Sequence, residues 1–164
     1  MKLETYQFSE DAGWDRTPDT NLDSKQTLLL FFGTPESSLI EKELQQLDNN
    51  FPNSILLGCS SAGEIYDDDV YDQSISLAIA TFERNRLAAS LKDDELKSVL
   101  VLSDGLAING SQLIEGLTES LPKDVIITGG LAGDGDRFQQ TWVWADGKLR
   151  THQVCAVGFY GEHI

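Results

Sequence analysis

Several features that define other classes of protein are scarce in this sequence of 164 residues, which contains two cysteines and two histidines. Cys59 and Cys155 do not make a disulfide framework, so we expect a reducing, cytoplasmic compartment. His152 and His163 are too few and too badly spaced for a zinc site. The sequence therefore indicates neither a disulfide-stabilised nor a zinc-stabilised fold.

Basic residues and long hydrophobic runs are scarce as well. The chain has 12 Lys and Arg against 27 Asp and Glu, a net charge of −15. Nucleic acids and anionic membranes bind to basic surfaces, so we expect neither as a partner. The longest apolar runs, Leu28–Phe32 and Val154–Tyr160, are too short to span a bilayer. The first residues lack an apolar h-region, so we expect no signal peptide and no membrane insertion.

What the sequence does contain is one pattern that occurs twice. Residues 28–64 and 99–134 each read as apolar strand, turn, helix, Pro, apolar strand and a Gly-rich segment that ends in an acid. Matched prolines and glycines lie 70 or 71 residues apart (122 − 52 = 70 and 129 − 58 = 71). This spacing predicts an internal repeat over residues 26–91 and 98–161.

Each copy is predicted to be a β-α-β unit followed by a β-hairpin. In the first copy, Thr34 is the expected N-cap of a helix with Pro35 at its first position. The apolar stripe of that helix is predicted to be Leu39, Ile40, Leu44 and Leu47. We expect an α/β fold in which two pseudo-repeated units form mixed sheets with the helices on the outer faces.

The hairpins and the N-terminus complete this prediction. In the first copy, Ser74–Phe82 is expected to pair with Arg86–Leu91 across a break at residues 83–85. In the second copy, a strand at Phe138–Trp144 is expected to lead to a turn at Asp146-Gly147. Residues 1–25 are predicted to be a loosely ordered lead-in with one short edge strand near residues 6–8, and residues 26–164 the domain itself.

The two Gly-rich segments, Gly58–Glu64 and Gly129–Asp134, are predicted to be loops at the carboxyl ends of strands. That is the usual ligand position in an α/β sheet, and glycines let the backbone approach a ligand and expose its N–H groups. The first loop has the glycine spacing of a phosphate loop. Glu64 stands where that motif needs Lys, so nucleotide binding is not indicated.

Polar side chains in and after these loops provide donors, acceptors and both signs of charge. Arg137 suits a carboxylate in forked geometry, and Glu64 or Asp134 suits an ammonium group. This combination predicts a pocket for a zwitterion; the alternative is that the residues only cap turns and helix starts. The candidate ligand-binding residues are Cys59, Ser60, Ser61, Glu64, Gly129, Gly130, Asp134, Arg137 and Thr141.

Cys59 and Ser60 leave an enzymatic alternative open. Either could be a nucleophile, with N–H groups of the loop as an oxyanion hole. The alternative for Cys59 is a small buried residue. Because no base and orienting residue accompany them, we expect a binding protein and no enzyme.

The two loops together resemble the FIST domain, a sensory module of bacterial, archaeal and some eukaryotic signalling proteins. The resemblance rests on Gly58–Ile65 and on Gly129–Gly135 with Phe138 and Thr141 behind it, and it covers most of residues 26–161. It implies an intracellular sensor of small ligands, with amino acids the usual proposal.

The resemblance also implies partners and one cofactor. FIST proteins normally continue into a C-terminal half, so we expect that half or a downstream signalling protein as a partner besides the ligand. Some relatives are linked to haem and nitric oxide sensing. Haem is therefore the alternative to a cofactor-free domain, with His152 or His163 as its candidate ligand.

Overall fold

The architecture was obtained as a computed structural model, and it describes residues 1–83, 85–89, 91 and 95–161, apart from the side chains of residues 37 and 39. The predicted roles of Leu39 and His163, and part of the predicted segment 83–91, lie outside what is described.

The structure contains thirteen strands and two α-helices among its described residues. The helices are α1 (Ser37–Asn50) and α2 (Gly110–Ser120). The strands are β1 (Lys2–Ser9), β2 (Gly13–Trp14), β3 (Thr27–Gly33), β4 (Ile55–Ser60), β5 (Glu64–Tyr66), β6 (Asp69–Tyr71), β7 (Ser74–Thr81), β8 (Arg86–Ala88), β9 (Leu96–Ser103), β10 (Ile126–Leu131), β11 (Val143–Ala145), β12 (Lys148–Arg150) and β13 (Val154–Tyr160).

Two mixed sheets carry most of these strands, as the α/β prediction requires. The first sheet has the order β12-β11-β4-β3-β7-β1-β2, and the second has the order β10-β9-β13-β8. In the first sheet β3 and β4 are parallel and α1 connects them; in the second, β9 and β10 are parallel and α2 connects them. A further antiparallel pair, β5 and β6, stands apart.

Three apolar clusters hold these elements together. The first joins Ile40, Leu44 and Leu47 of α1 to side chains of the first sheet. The second contains side chains from both sheets, among them Leu57 and Val157, so it lies between the sheets. The third joins the second sheet to partly buried side chains of α2. Burial of apolar area in these clusters is the main force that holds the layers together.

The first predicted hairpin is wrong in its pairing. The alternation at residues 74–81 correctly indicates a strand whose Ile75, Leu77 and Ile79 are fully buried. That strand, β7, lies between β3 and β1, whereas β8 pairs with β13 in the other sheet. Adjacency in sequence favours a hairpin, but the β7 edge is taken by the N-terminal strand instead.

Residues 1–25 are more regular than the loose lead-in that we expect from the sequence. All eight residues of β1 pair with β7. Tyr6 is buried in the first cluster, and Arg16 lies over its ring. The polar residues of this segment conceal an ordered strand because its outer face remains exposed to solvent.

The N-termini of the two helices differ, and a cap is predicted from the sequence only for the first helix. Asn109 caps α2, because its side-chain oxygen accepts the N–H of Gln112 at 3.1 Å. Thr34 is not the cap of α1, which begins after Glu36 without a side-chain cap. The Thr34 hydroxyl contacts the Glu36 carboxylate instead, and its oxygen accepts the Glu36 N–H at 3.4 Å.

The second hairpin is confirmed at its turn and corrected in its first strand. Asp146 and Gly147 have φ of 53° and 69°, as a tight hairpin turn needs, and β11 pairs with β12 across it. The strand begins at residue 143 and not at Phe138, whose φ of 48° breaks extended structure. In the described part of the chain, neither helix has the length and apolar character to cross a membrane.

Candidate functional site

Four separate parts of the chain meet at the carboxyl ends of β3 and β4. The N–H of Ser61, just after β4, donates to the carbonyl of Gly33 at the end of β3 (3.0 Å). The N–H of Gly133, in the second Gly-rich segment, donates to the carbonyl of Ser60 (3.0 Å). The N–H of Thr34 donates to the carbonyl of Ser74 (3.0 Å). The prediction that both Gly-rich segments contribute to one region therefore holds for the residues after Ser60 and after Leu131.

A cleft of about 310 Å³ opens where these segments meet. Five carboxyl groups and one guanidinium group line it, which makes its surface strongly acidic. Four of the nine candidate residues lie in its wall: Ser61, Glu64, Asp134 and Arg137. Thr34, Pro35, Glu36, Ala62, Gly63, Asp72, Gln73, Gly135 and Asp136 complete the lining.

Glu64 is the most buried acid of the cleft, with 2% of its surface exposed. One carboxylate oxygen accepts the hydroxyl of Ser61 at 2.8 Å, and the other accepts the hydroxyl of Ser74 at 2.9 Å and its N–H at 3.4 Å. Burial raises the pKa of the Glu64 carboxyl, against the opposing effect of these three donors. Its carboxylate is thus fixed in place in the cleft wall.

Arg137 forms the cationic side of the cleft. Its Nε donates to the carbonyl of Asp134 at 2.9 Å, and its Nη1 pairs with the Glu36 carboxylate. The Thr34 hydroxyl, followed by Arg137, holds the pKa of Glu36 below its usual value. Among the described residues, Nη2 of Arg137 has no hydrogen-bond partner, so its N–H groups are free to bind a further acceptor.

Asp134 shapes the second loop from within. Its carboxylate accepts the N–H groups of Gln139 at 2.7 Å and Gln140 at 3.0 Å. Desolvation alone would raise the pKa of Asp134, but these backbone donors and that of Phe138 together lower it. The bonds are those of an acid that caps a turn, so Asp134 fits the capping alternative as well as the ligand-binding prediction.

Cys59, Ser60 and Thr141 lie outside the cleft. Cys59 is buried between the sheets, and burial raises the pKa of its thiol to about 12. The Ser60 hydroxyl accepts the N–H of Trp142 at 3.2 Å, and the Thr141 hydroxyl accepts the N–H of Gly105 at 3.0 Å. A protonated, buried thiol and a buried serine do not suit nucleophilic attack, so the geometry disfavours the enzymatic alternative.

Gly129 and Gly130 also lie away from the cleft, because they are strand residues and not loop residues. Both belong to β10 and pair with β9, just as Gly58 to Ser60 belong to β4. Gly129 has φ of 148°, and a Cβ there would lie 1.8 Å from the carbonyl oxygen of Val101. The glycine signal therefore marks close backbone packing within the second sheet.

Haem is not accommodated by the described residues around His152. This histidine is exposed in a turn, and its backbone N–H donates to the Asp104 carboxylate at 2.8 Å. The groove beside it is about 290 Å³ and is lined mainly by polar side chains, including Asp104, Gln139 and Gln140. A porphyrin needs an apolar slot, so this groove does not fit it. The described residues contain no cluster of His, Cys, Asp and Glu that could hold a metal ion.

Three acids of the cleft, Glu36, Asp72 and Asp136, are not among the residues predicted from the sequence, and Asp136 lies only two residues beyond the second Gly-rich segment. Glu36 follows the carboxyl end of β3, so the rule that was applied to the Gly-rich segments identifies it too. Asp72 comes from the turn after the unpredicted β5–β6 hairpin, and no sequence signal connects it to the other residues.

The site lies within a chain that matches a known family over most of its length. The model of the FIST N domain matches residues 27–164, so the chain belongs to the FIST family, a family of sensory domains in signal transduction. No curated protein and no solved structure matches the chain in the two other comparisons.

Proposed function

We propose that this FIST domain senses a small zwitterion of the amino acid class, which binds in the acidic cleft. The observation that carries the proposal is the meeting of both Gly-rich segments at one cleft that offers both signs of charge. Ligands in α/β proteins bind at the carboxyl ends of strands, which is where this cleft lies.

The charges suggest how such a ligand would be oriented. The carboxylates of Asp72 and Asp136 are exposed at the cleft and suit an ammonium group. The free Nη2 of Arg137 suits the ligand carboxylate, since its N–H groups can donate charge-assisted hydrogen bonds to it. Glu64, held by Ser61 and Ser74, supplies a fixed negative charge in the wall when it is ionised.

The three apolar clusters also suggest how the helices and sheets are layered. We infer the layer order helix, sheet, sheet, helix, with two units of common plan related by the repeat that the sequence predicts. In support, the order β4-β3-β7-β1 of the first sheet corresponds to β10-β9-β13-β8 of the second, with parallel and antiparallel pairs in the same places. The cleft would then join the end of one unit to the loop of the other.

Thermal unfolding against a panel of free amino acids, amines without a carboxylate, organic acids without an amine, and hemin tests the proposal. A ligand at a hundred times its dissociation constant stabilises the folded chain by about 2.7 kcal/mol. We expect that stabilisation from an amino acid, and a smaller one from an amine or an organic acid alone. Stabilisation by hemin with a Soret band, or by none of the compounds, would contradict the proposal.

Two isosteric substitutions test whether the amino acid binds in the cleft. Asp136→Asn removes an exposed carboxylate of the cleft, and Asp124→Asn removes one before β10, at the other end of that strand. We expect Asp136→Asn to weaken amino acid binding by roughly tenfold, as loss of one charge-assisted hydrogen bond does, and Asp124→Asn to leave it unchanged. Equal affinities of the two variants in calorimetric titrations would exclude Asp136 from the site.

A further inference from the structure

The outer strands of the two large sheets differ sharply in the protection of their edges. Three of the four edge strands in the described part of the chain have only two or three residues: β2, β12 and β8. Lys148 and Arg150 lie on β12, and Arg86 lies on β8. Short length and cationic side chains are common means of keeping sheet edges from pairing with other chains.

The fourth edge strand, β10, has none of these protections. It is six residues long and contains neither a charged residue nor Pro. Ile126 and Leu131 expose 65% and 51% of their surface. An uncharged, apolar edge strand of this length is an established template for pairing with another strand.

The backbone groups of β10 that are free to pair can be read from its register. β10 is parallel to β9, and the N–H of Ala132, just beyond the strand, donates to the carbonyl of Ser103 at 2.7 Å. Successive residues of a strand point their N–H and C=O groups to opposite sides. The groups of Ile127, Gly129 and Leu131 therefore point away from β9, where no described strand pairs with them.

An apolar groove of about 470 Å³ runs beside this edge, between β10 and α2. Leu113 and Ile114 of α2 and Ile127 and Leu131 of β10 contribute its apolar side chains, and none of its lining residues is charged. On a chain of net charge −15, an uncharged patch of this kind is a part of the surface at which a second copy meets little local repulsion.

We propose that β10 pairs antiparallel with β10 of a second copy of the chain, which joins the two second sheets into one continuous sheet. Only outward-pointing residues can exchange hydrogen bonds, so the two-fold axis is placed at Gly129, with Ile127 opposite Leu131 of the second copy. Thr128 then lies opposite Gly130 of the second copy.

The residues around this seam complement each other. Gly129 and Gly130 leave the centre of the seam free of side chains, while Ile127 and Leu131 of opposite chains lie on the same face, beside the apolar groove.

Sedimentation equilibrium of the chain and of two lysine variants tests this interface. We expect a mass of twice one chain, and weakening of self-association by roughly tenfold or more in Thr128→Lys, because lysine charges are forced together at the seam. Thr5→Lys makes the same change at an exposed position of β1, which belongs to the first sheet and not to the proposed seam, and should leave association unchanged. A single-chain mass at all concentrations would overturn the proposal.

Oxidative cross-linking tests the register itself. Thr128→Cys combined with Gly130→Cys places thiols directly opposite each other across the seam, and a Cβ at Gly130 meets no other atom within 4 Å. Burial raises the pKa of the native Cys59 and Cys155 thiols to about 12, so they should not react. We expect a cross-linked dimer from the double variant and none from Thr128→Cys alone, whose thiols are too far apart. Equal cross-linking of both variants, or of neither, would overturn the register.

Discussion

The β3-α1-β4 unit and the β9-α2-β10 unit have the same order of elements but differ in how completely they are covered. Ile40 and Leu44 of α1 are fully buried, and β11 pairs with the outer edge of β4. None of the residues of α2 is buried, and none of the strands that the structure describes pairs with the outer edge of β10. The comparison teaches that a local sequence pattern specifies a β-α-β unit, while residues distant in sequence determine whether its helix is buried and its outer strand is paired.

The two acids that end the Gly-rich segments differ in a similar way. Glu64 is held by side-chain hydroxyls of Ser61 and Ser74, and burial raises the pKa of its carboxyl. Asp134 is also desolvated, but the backbone N–H groups of its own loop outweigh that effect and lower its pKa. Two acids at corresponding places in the sequence pattern thus play different physical roles: Asp134 organises a turn, whereas Glu64 is fixed in the wall of the cleft.

The largest effect on stability is expected from substitutions of two adjacent glycines of β10, which should differ sharply in their loss of unfolding free energy. Gly129→Ala forces a Cβ to within 1.8 Å of the Val101 carbonyl oxygen at φ of 148°, so we expect a loss of at least about 4 kcal/mol or failure to fold. At Gly130 a Cβ meets nothing within 4 Å, so Gly130→Ala should cost less than about 1 kcal/mol. Urea unfolding checks both variants, and equal losses would contradict the close packing of β10 on β9.

Replacing one leucine by alanine on each helix tests whether α1 is more deeply buried than α2. Leu44→Ala on α1 should lower the free energy of unfolding by about 3 kcal/mol, because it empties a fully buried site. Leu113→Ala on α2 removes a side chain that is only partly buried, and should cost less than about 1.5 kcal/mol. If urea unfolding gives equal losses for the two variants, α2 is covered in solution by something that the isolated fold does not show.

The smallest effects on the free energy of unfolding are expected from Asp134 and Glu64, and their contributions change with pH in opposite directions. Because its folded pKa is lowered, Asp134 contributes stability above its unfolded pKa that is lost as the pH falls through the folded pKa. Because its folded pKa is raised, Glu64 contributes stability below its unfolded pKa that is lost as the pH rises through the folded pKa.

Urea unfolding of Asp134→Asn and Glu64→Gln from pH 3 to pH 8 measures these contributions. Relative to the unsubstituted chain, Asp134→Asn should be most destabilised near neutral pH and least destabilised in acid. Glu64→Gln should show the opposite trend, with its relative stability improving as the pH rises. A Glu64→Gln difference that is constant with pH would mean that Glu64 titrates alike in the folded and unfolded chain.

The local elements of the fold could be predicted because they depend on residues close in sequence. The apolar run before Gly33, the alternation at residues 74–81 and the turn at Asp146-Gly147 each correspond to an observed element. Pairing partners could not be predicted in the same way. Nothing near β7 in the sequence indicates that β1 lies beside it, because pairing depends on which exposed edges meet after collapse.

The candidate site was predictable in the same limited sense. Ser61, Glu64, Asp134 and Arg137 could be identified because they follow glycine-rich strand ends. The same glycine signal also selected Gly129 and Gly130, which belong to β10; Gly129 allows close packing on β9, since glycine marks close approach of any kind. Asp72 escaped prediction because it reaches the cleft through a hairpin whose place is set by tertiary contacts.

The sequence by itself determined the strongly acidic charge, the two β-α-β patterns and the FIST family to which the chain belongs. Those properties depend on composition and on spacing within short segments. Only the tertiary structure decided that β7 and β8 belong to different sheets, that Glu64 is buried while Asp136 is exposed, and that no described strand pairs with the outer edge of β10. These outcomes depend on long-range packing, in which distant residues compete for the same sheet edges and the same buried volume.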